Sequence, residues 1–412
     1  MIRTVVISLA VFLAVILLLV VALLVLRAKL MPSGDMSLTI NGDKKLTVPT
    51  GNSLISTLAE QEVYLPSACG GKGSCGQCKC RVLSGGGDIL PTEKGFFTRR
   101  QQQDHWRLGC QVKVKEAIAI EVPTSILSIK KWECEVVSSH NVSTFIREFT
   151  VRLPEGENLT FQSGDYIQID IPKTTVRYSD MVVDEQYRSD WDRFHMWDLV
   201  MKNPEPCTRA YSMANHPAEE NIVTLNVRIA TPPFDRKRGG FAKVNPGVSS
   251  SYIWSLKPGD KVRLSGPYGE FHIKDTDKEM MFIGGGAGMA PMRSHIFHLF
   301  KTLHTQRKVS FWYGGRSLKE LFYTDEFEQI AAENPNFQFN IALSEPLPSD
   351  NWSGYTGFIH QVIFDNYLKN HPEPEEIEYY LCGPGPMTAA ATKMLDSLGV
   401  PKDNIFFDDF GS

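Results

Sequence analysis

The pattern of apolar and polar positions takes four distinct characters along this chain. Residues 4–26, TVVISLAVFLAVILLLVVALLVL, run without a single charge. As a helix rising about 1.5 Å per residue, this run spans about 34 Å, enough for a hydrocarbon core about 30 Å thick. It is too long for a secretory leader, and RAKLMPSG after it offers no small-residue cleavage site. Residues 1–30 are therefore expected to form an uncleaved transmembrane anchor. Arg27 and Lys29 beyond the run, against Arg3 before it, favour a cytoplasmic body.

From 33 to 127 the texture is that of a small mixed α+β domain. SLTINGDKKLTVPTGNSLISTLAE reads as two strands around an Asn41-Gly42 turn and then a helix, and CRVLSGG and QVKVKEAIAIEVP add strand patterns. Residues 128–274 alternate more regularly. WECEVVSSHNVSTFIREFTVRLP, FQSGDYIQIDIP, LNVRIA and DKVRLSGPYGEF predict an antiparallel β-barrel. A polar, aromatic-rich stretch at 173–206 interrupts it; that is long for a structureless connection, so it is expected to carry structure or a role of its own. From 275 to 412 the apolar runs EMMFIGGG, KVSFWYGG, FQFNIALS and EIEYYLCG each precede a helical or loop stretch, the pattern of an α/β doubly wound parallel sheet.

Composition adds exclusions. A net charge of −4 and no run of Lys and Arg give no footprint for nucleic acid. Four of the eight cysteines crowd into residues 69–80 while Cys110, Cys134, Cys207 and Cys382 are scattered, which suits metal ligands in a reducing compartment better than a disulfide framework.

The chemistry begins at Ala68-Cys69-Gly70-Gly71-Lys72-Gly73-Ser74-Cys75-Gly76-Gln77-Cys78. Three thiols on one glycine-rich loop and a distant fourth, Cys110, suit a [2Fe–2S] cluster held by four thiolates. The alternative is structural zinc, but zinc sites more often pair two CxxC elements, and Cys110 stands alone in LGCQVKV. Cys80 breaks the spacing and reads as an idle thiol.

Four further segments follow the loop. Arg209-Ala210-Tyr211-Ser212 offers a planar fork for a phosphate, a ring for a flat ligand face and a hydroxyl for its edge, although a strand with a surface Arg has the same letters. Gly247-Val248-Ser249-Ser250 opens a helix with small residues whose N–H groups can meet a phosphate. Gly284-Gly285-Gly286-Ala287-Gly288-Met289-Ala290-Pro291 lies between a strand and a helix, the context of a phosphate-binding turn, with Pro291 where the six-residue dinucleotide fingerprint has its last glycine. Cys382-Gly383-Pro384-Gly385-Pro386-Met387 ends a strand, where open α/β sheets bind ligands; alone, Cys382 is as readily a small buried hydrophobe.

Together these motifs resemble the ferredoxin–NAD(P)+ reductase superfamily, fused at its amino end to a plant-type ferredoxin. The resemblance implies that Arg209, Tyr211, Ser212, Gly247 and Ser250 hold FAD. Gly286, Gly288 and Pro291 would hold the nicotinamide dinucleotide, and Cys382, with Ser212, would border hydride transfer. Terminal aromatics in the family cover the flavin, which would give Phe410 that role; simple packing is the alternative. The anchor, the module order, C-x5-C-x2-C-x31-C, RAYSMAN and the terminal DDFG resemble more narrowly the F subunits of the Na+-translocating NADH:quinone reductases. That implies electron flow from NADH to FAD to the cluster, then through other membrane subunits to ubiquinone, at a bacterial inner membrane with the soluble domains cytoplasmic. One uncharged helix offers no ion path, so Na+ transport would belong to the partner subunits. NADH is expected over NADPH, with Glu320 and Asp325 opposing Arg316 as a 2′-phosphate site. The reductase of an oxygenase system shares the three modules and remains an alternative, as does a tethered carrier with a degenerate reductase half.

Overall fold

A computed structural model of the protein describes residues 2–30, 34–235 and 239–408. The chain divides into two compact units, Met1–Ile129 and Lys130–Ser412.

The first unit begins with α1 (Ile2–Leu30), in which Val6–Leu23 has a mean hydropathy of 3.3 and none of that window is buried. An apolar surface on all sides needs an apolar solvent, so this helix is compatible with a membrane. Five strands follow: β1 (Asp35–Ile40), β2 (Lys44–Pro49), β3 (Lys79–Ser84), β4 (Trp106–Leu108) and β5 (Ile118–Glu121), in the order β2-β1-β5-β3-β4. β1 and β5 run parallel and the other neighbours antiparallel. Asn41 (φ 53°) and Gly42 (φ 81°) turn β1 into β2 as the sequence predicts. α2 (Leu54–Glu60) starts at Ser53, whose hydroxyl accepts the Ser56 N–H, and buries Leu54 and Leu58.

QVKVKEAIAIEVP yields a strand only at Ile118–Glu121. The backbone at Val112 and Val114 bonds instead to Gly51, Asn52 and Leu54, so these residues serve the loop before α2. α3 (Arg99–Gln103), which carries no apolar periodicity, is nucleated by a capping box of Thr98 and Gln101. Beneath it lies a buried ion pair. Glu93 accepts from Arg107 Nε (3.0 Å) and from the N–H groups of Leu90 and Leu108, while Arg107 Nη1 reaches the carbonyls of Gly86 and Gly87.

The second unit opens with the barrel. Its strands β6 (Lys130–Ser143), β7 (Ile146–Arg152) and β8 (Tyr166–Ile171) are followed by an insertion. That insertion consists of β9 (Thr174–Arg177), α4 (Glu185–Arg193) and β10 (Val200–Asn203), with β9 and β10 paired antiparallel. β11 (Cys207–Ser212), β12 (Ile222–Arg228), the short pair β13 (Phe234–Asp235) and β14 (Gly240–Phe241), α5 (Val248–Ser255) and β15 (Lys261–Tyr268) complete it. The sheet order is β11-β8-β15-β6-β7-β12, and an antiparallel bridge from Met213 to Leu225 joins its two ends. Residues 173–206 therefore do carry structure. Tyr178, Trp191, Met196 and Met201 bury into the barrel's own core, and Trp191 stacks on Trp254 at 5.3 Å with its Nε1 donating to the Thr144 carbonyl.

The remaining part is wholly parallel. β16 (Met280–Gly285), α6 (Met289–Phe297), β17 (Val309–Gly315), α7 (Thr324–Glu333), β18 (Phe337–Leu343), β19 (Tyr355–Thr356), α8 (Ile359–Asn366), β20 (Glu378–Cys382), α9 (Gly385–Ser397) and β21 (Ile405–Asp408) alternate along the chain. The strand order is β19-β18-β17-β16-β20-β21. Strands buried on both faces need near-continuous apolar runs, and β16, β17 and β20 are largely buried along their length, whereas β18 exposes Gln338 and only half-buries Phe339–Ile341. The edge strands β19 and β21 are short and were not legible that way.

Removing Glu93 leaves the Arg107 guanidinium buried without its carboxylate. Glu93→Ala should destabilise the first unit by about 3–5 kcal/mol. Loss of Glu121 from its exposed pair with Arg81 should cost no more than about 1 kcal/mol. Denaturant midpoints of the two variants measure the difference; equal shifts would be inconsistent with a structural role for the buried pair.

Candidate functional site

In the first unit, the four glycines of the cysteine loop, Gly70, Gly71, Gly73 and Gly76, all adopt positive φ. The curled backbone turns the N–H groups of Lys72, Ser74 and Cys75 toward Cys69 Sγ. Gly73 and Gly76 have a second reason to be glycine. A Cβ on Gly73 would lie 2.5 Å from Gln111 Nε2, and one on Gly76 would lie 2.3 Å from the Phe96 ring.

The thiols meet two by two. Cys75 Sγ lies 3.4 Å from Cys69 Sγ, and Cys78 is hydrogen-bonded to Cys110. Among the described residues, no three His, Cys, Asp or Glu side chains converge as they would on one metal ion. Two pairs suit a two-iron cluster instead, since each iron takes two protein ligands. Within each pair one thiol is held below its usual value by a hydrogen bond from the other: Cys69, at about 3, by Cys75, and Cys110, at about 7, by Cys78. Gln111 Nε2 adds a donor to Cys110 Sγ at 3.8 Å. Cys80 is fully buried within β3, and burial pushes its thiol up to about 12.

In the second unit, β11 displays Arg209 and Tyr211 on one face and Ser212 on the other. The Tyr211 hydroxyl donates to Ser249 Oγ (2.9 Å), which ties the strand to the first turn of α5. Burial pushes that phenol up to about 12, so it stays a neutral donor. Gly247 caps α5 where a Cβ would meet the Ala230 methyl at 2.5 Å. Ser250 faces inward: its Oγ accepts the Ala230 N–H (3.0 Å) and donates to the Gly247 carbonyl, so it fixes the turn from beneath while Ser249 faces Tyr211.

The glycine turn and the Cys382 loop meet at the carboxyl ends of adjacent strands. Gly284 registers with Cys382, and Cys382 with Asp408. A Cβ on Gly288 would stand 2.1 Å from the Cys382 carbonyl oxygen, and one on Gly285 2.7 Å from Met387 Sδ. The turn is therefore built of bare backbone at Gly285 and Gly288, where no side chain fits. Gly286 has φ 56°. Pro291 is buried in the first turn of α6 and has no N–H to offer, so it shapes the turn. Cys382 is fully buried.

The structure brings Ser212 to this point: its Oγ donates to the Asp408 carboxylate. Sequence reasoning passed over Asp408 because β21 carries only four residues and no motif. Phe410 lies outside the described residues. Arg316 meets Glu345 (2.8 Å) rather than Glu320 or Asp325; Glu320 accepts from Thr144 Oγ1, and Asp325 sits exposed in the first turn of α7. The acid came from the end of the neighbouring strand β18, which proximity along the chain does not reveal.

Three family models match this chain. Residues 38–115 match the 2Fe-2S iron-sulfur cluster binding domain, 194–273 the oxidoreductase FAD-binding domain and 282–393 the oxidoreductase NAD-binding domain. Among solved structures, an Amycolatopsis cytochrome P450 reductase, GcoB, is similar at TM-score 0.62 and 22% identity, covering 91% of this chain and 98% of its own. A ferredoxin reductase of carbazole 1,9a-dioxygenase is similar at TM-score 0.59 and 24% identity, over 92% of this chain and 98% of its own. At these identities the likeness is one of fold. Closer in sequence are F subunits of Na(+)-translocating NADH-quinone reductase. That of Pseudomonas aeruginosa strain UCBPP-PA14 is 55% identical over 98% of both chains. One of Neisseria meningitidis strain FAM18 is 53% identical over 99% of both. With the 2Fe–2S, FAD and NAD domains in one chain and this identity over nearly its whole length, the chain belongs to the F subunits of the Na+-translocating NADH-quinone reductases, a family of oxidoreductases.

Proposed function

We propose that this chain oxidises NADH and passes the electrons, through FAD and then the [2Fe–2S] cluster, to other subunits of a Na+-translocating quinone reductase, with ubiquinone as their final acceptor. The observation that carries this reading is identity of 55% across 98% of both chains with an F subunit of such a reductase. An anchor helix with mean hydropathy 3.3 supports placement at a membrane, with the soluble units on the cytoplasmic side of a bacterial inner membrane. FAD held by this chain would supply the exchange between two-electron hydride chemistry and the one-electron chemistry of a [2Fe–2S] cluster.

The chain's own residues supply placement. Arg209 and Tyr211, with the Gly247 turn, are assigned to holding the flavin, and Tyr211 is fixed by Ser249. Gly286 and Gly288 are assigned to the dinucleotide phosphates. Ser212, held by Asp408, and Cys382, at the end of β20, are assigned to the edge of the nicotinamide site, where they would orient it. Cys69, Cys75, Cys78 and Cys110 are assigned as the four cluster ligands. NADH is favoured over NADPH because Arg316 is already paired with Glu345.

Co-purification of the tagged, detergent-solubilised protein from its native membrane tests the assignment. Recovery with a multisubunit, Na+-stimulated quinone reductase is the expected result; recovery with an oxygenase would overturn it. Absence of NADH–ferricyanide turnover with FAD bound would leave only the carrier reading.

Two substitutions probe the site. Gly288→Ala should force the Cys382 carbonyl away and lower NADH turnover at least tenfold while FAD content stays unchanged, measured by steady-state kinetics and flavin absorbance. Gln111→Leu removes a donor to a cluster sulfur and should lower the midpoint potential in an EPR-monitored redox titration, because such bonds favour the reduced, more negative cluster.

A further inference from the structure

The four assigned cluster ligands are not equally covered. Cys78 and Cys110 are buried, whereas Cys69 and Cys75 are only half-buried. Electronic coupling decays steeply with distance, so a protein exchanging electrons with this cluster must approach the Cys69–Cys75 edge.

The residues around that edge share one sign of charge. Residues 69–81 and 94–103 contain Lys72, Lys79, Arg81, Lys94, Arg99 and Arg100 and no Asp or Glu, in a chain whose net charge is −4. The two segments are neighbours in space. The Phe96 ring packs against Gly76, Lys79 Nζ lies 5.6 Å from the Phe97 ring centre, and Gln102 Nε2 binds the carbonyls of Lys94 and Phe97. Glu93, next to them in sequence, is buried on Arg107, and Arg81 is taken by Glu121. Asp104 follows α3 as its half-buried C-cap. Lys72, Lys94, Arg99 and Arg100 are exposed and, among the described residues, form no salt bridge.

Local stability does not account for this arrangement. Arg99 and Arg100 occupy the first turn of α3, where the helix N-terminus repels cations. Phe96 remains half-exposed among them, an apolar centre with a charged rim, as protein interfaces have. We propose that this rim of Lys72, Lys94, Arg99 and Arg100 around Phe96 is the docking face for an acidic patch on the protein that takes electrons from the cluster. The inference rests on the function proposed above. Complementary charge of this kind steers encounter and sets association rates more than affinity, and salt screens it.

The test uses the complete complex purified with the full chain, either unsubstituted or carrying Lys94→Glu, Arg99→Glu and Arg100→Glu together. NADH-driven quinone reduction is measured against ionic strength, and cluster reduction after rapid mixing with NADH is followed separately. For the unsubstituted complex, quinone reduction should fall as salt rises. The triple variant should be at least tenfold slower at low salt and should lose that salt dependence, with the rate of cluster reduction and the cluster's EPR spectrum unchanged. A Gln version of the same three positions, which removes charge without reversing it, should fall between the two. Unchanged quinone reduction in the triple variant would overturn the proposal. So would slowed cluster reduction, which would assign the rim to this chain's own flavin-bearing unit. Loss of the salt dependence on reconstitution into neutral instead of anionic lipid would assign it to the membrane surface and equally overturn it. If the unsubstituted complex reduces no quinone at all, the functional reading itself fails and the docking proposal falls with it.

Discussion

Backbone touching backbone at the carboxyl ends of β16 and β20 is the constraint on which the reductase unit depends. Gly288 leaves no space for a Cβ beside the Cys382 carbonyl, and Gly285 and Gly383 are closed off in turn by Met387. Parallel strands stand only about 4.8 Å apart, so two loops leaving neighbouring strands can line one ligand surface only if neither carries side chains there. Once they do, the next strand out, β21, delivers Asp408 beside Cys382, and Asp408 in turn holds Ser212 of the barrel. The meeting of residues 212, 288, 382 and 408 is thus one consequence of a sterically enforced turn.

That assembly requires the barrel and the parallel sheet to keep their relation. Arg293 on α6 holds them. Its guanidinium donates to the Ala214 carbonyl and to Glu219 on the barrel side and to Glu326 on α7, and it lies 4.3 Å over the Phe297 ring. Burial works against its charge, but the two carboxylates more than offset this and keep the group charged. Tyr323 reaches across to Glu148 and Asn226 in the same region, and Lys319 reaches Asp190 of the insertion. The insertion is therefore part of the barrel's core on one side and of its junction with the parallel sheet on the other.

The ferredoxin unit solves a similar problem with different means. A glycine-rich loop curls its N–H groups inward toward sulfur, and the neighbouring side chains Gln111 and Phe96 fill the space that glycines at 73 and 76 leave. The buried Glu93–Arg107 pair anchors the 85–93 loop and, through Leu108, the approach to Cys110. The buried ion pair and the position of Cys110 are joined in one short stretch of chain.

Much of this was legible in the letters because the physics there is local or periodic. A charge-free run of 23 residues is long enough for a spanning helix, alternation marks the barrel strands, and apolar runs mark the parallel sheet. Cysteine and glycine spacing pointed to a 2Fe–2S domain, which the family model over residues 38–115 matches, and to a curled loop, because positive φ is a property of single residues. What the sequence could not express is which distant residues meet. β21 is four residues long, the partner of Arg316 sits on another strand, and α3 has a capping box in place of an apolar face. The Ser250 hydroxyl braces the turn, while Ser249 beside it faces Tyr211, a difference set by the rotation of one helical residue. Composition and spacing determined the modules and their chemistry. Register between strands, which depends on packing across the whole sheet, decided the neighbours of each functional group.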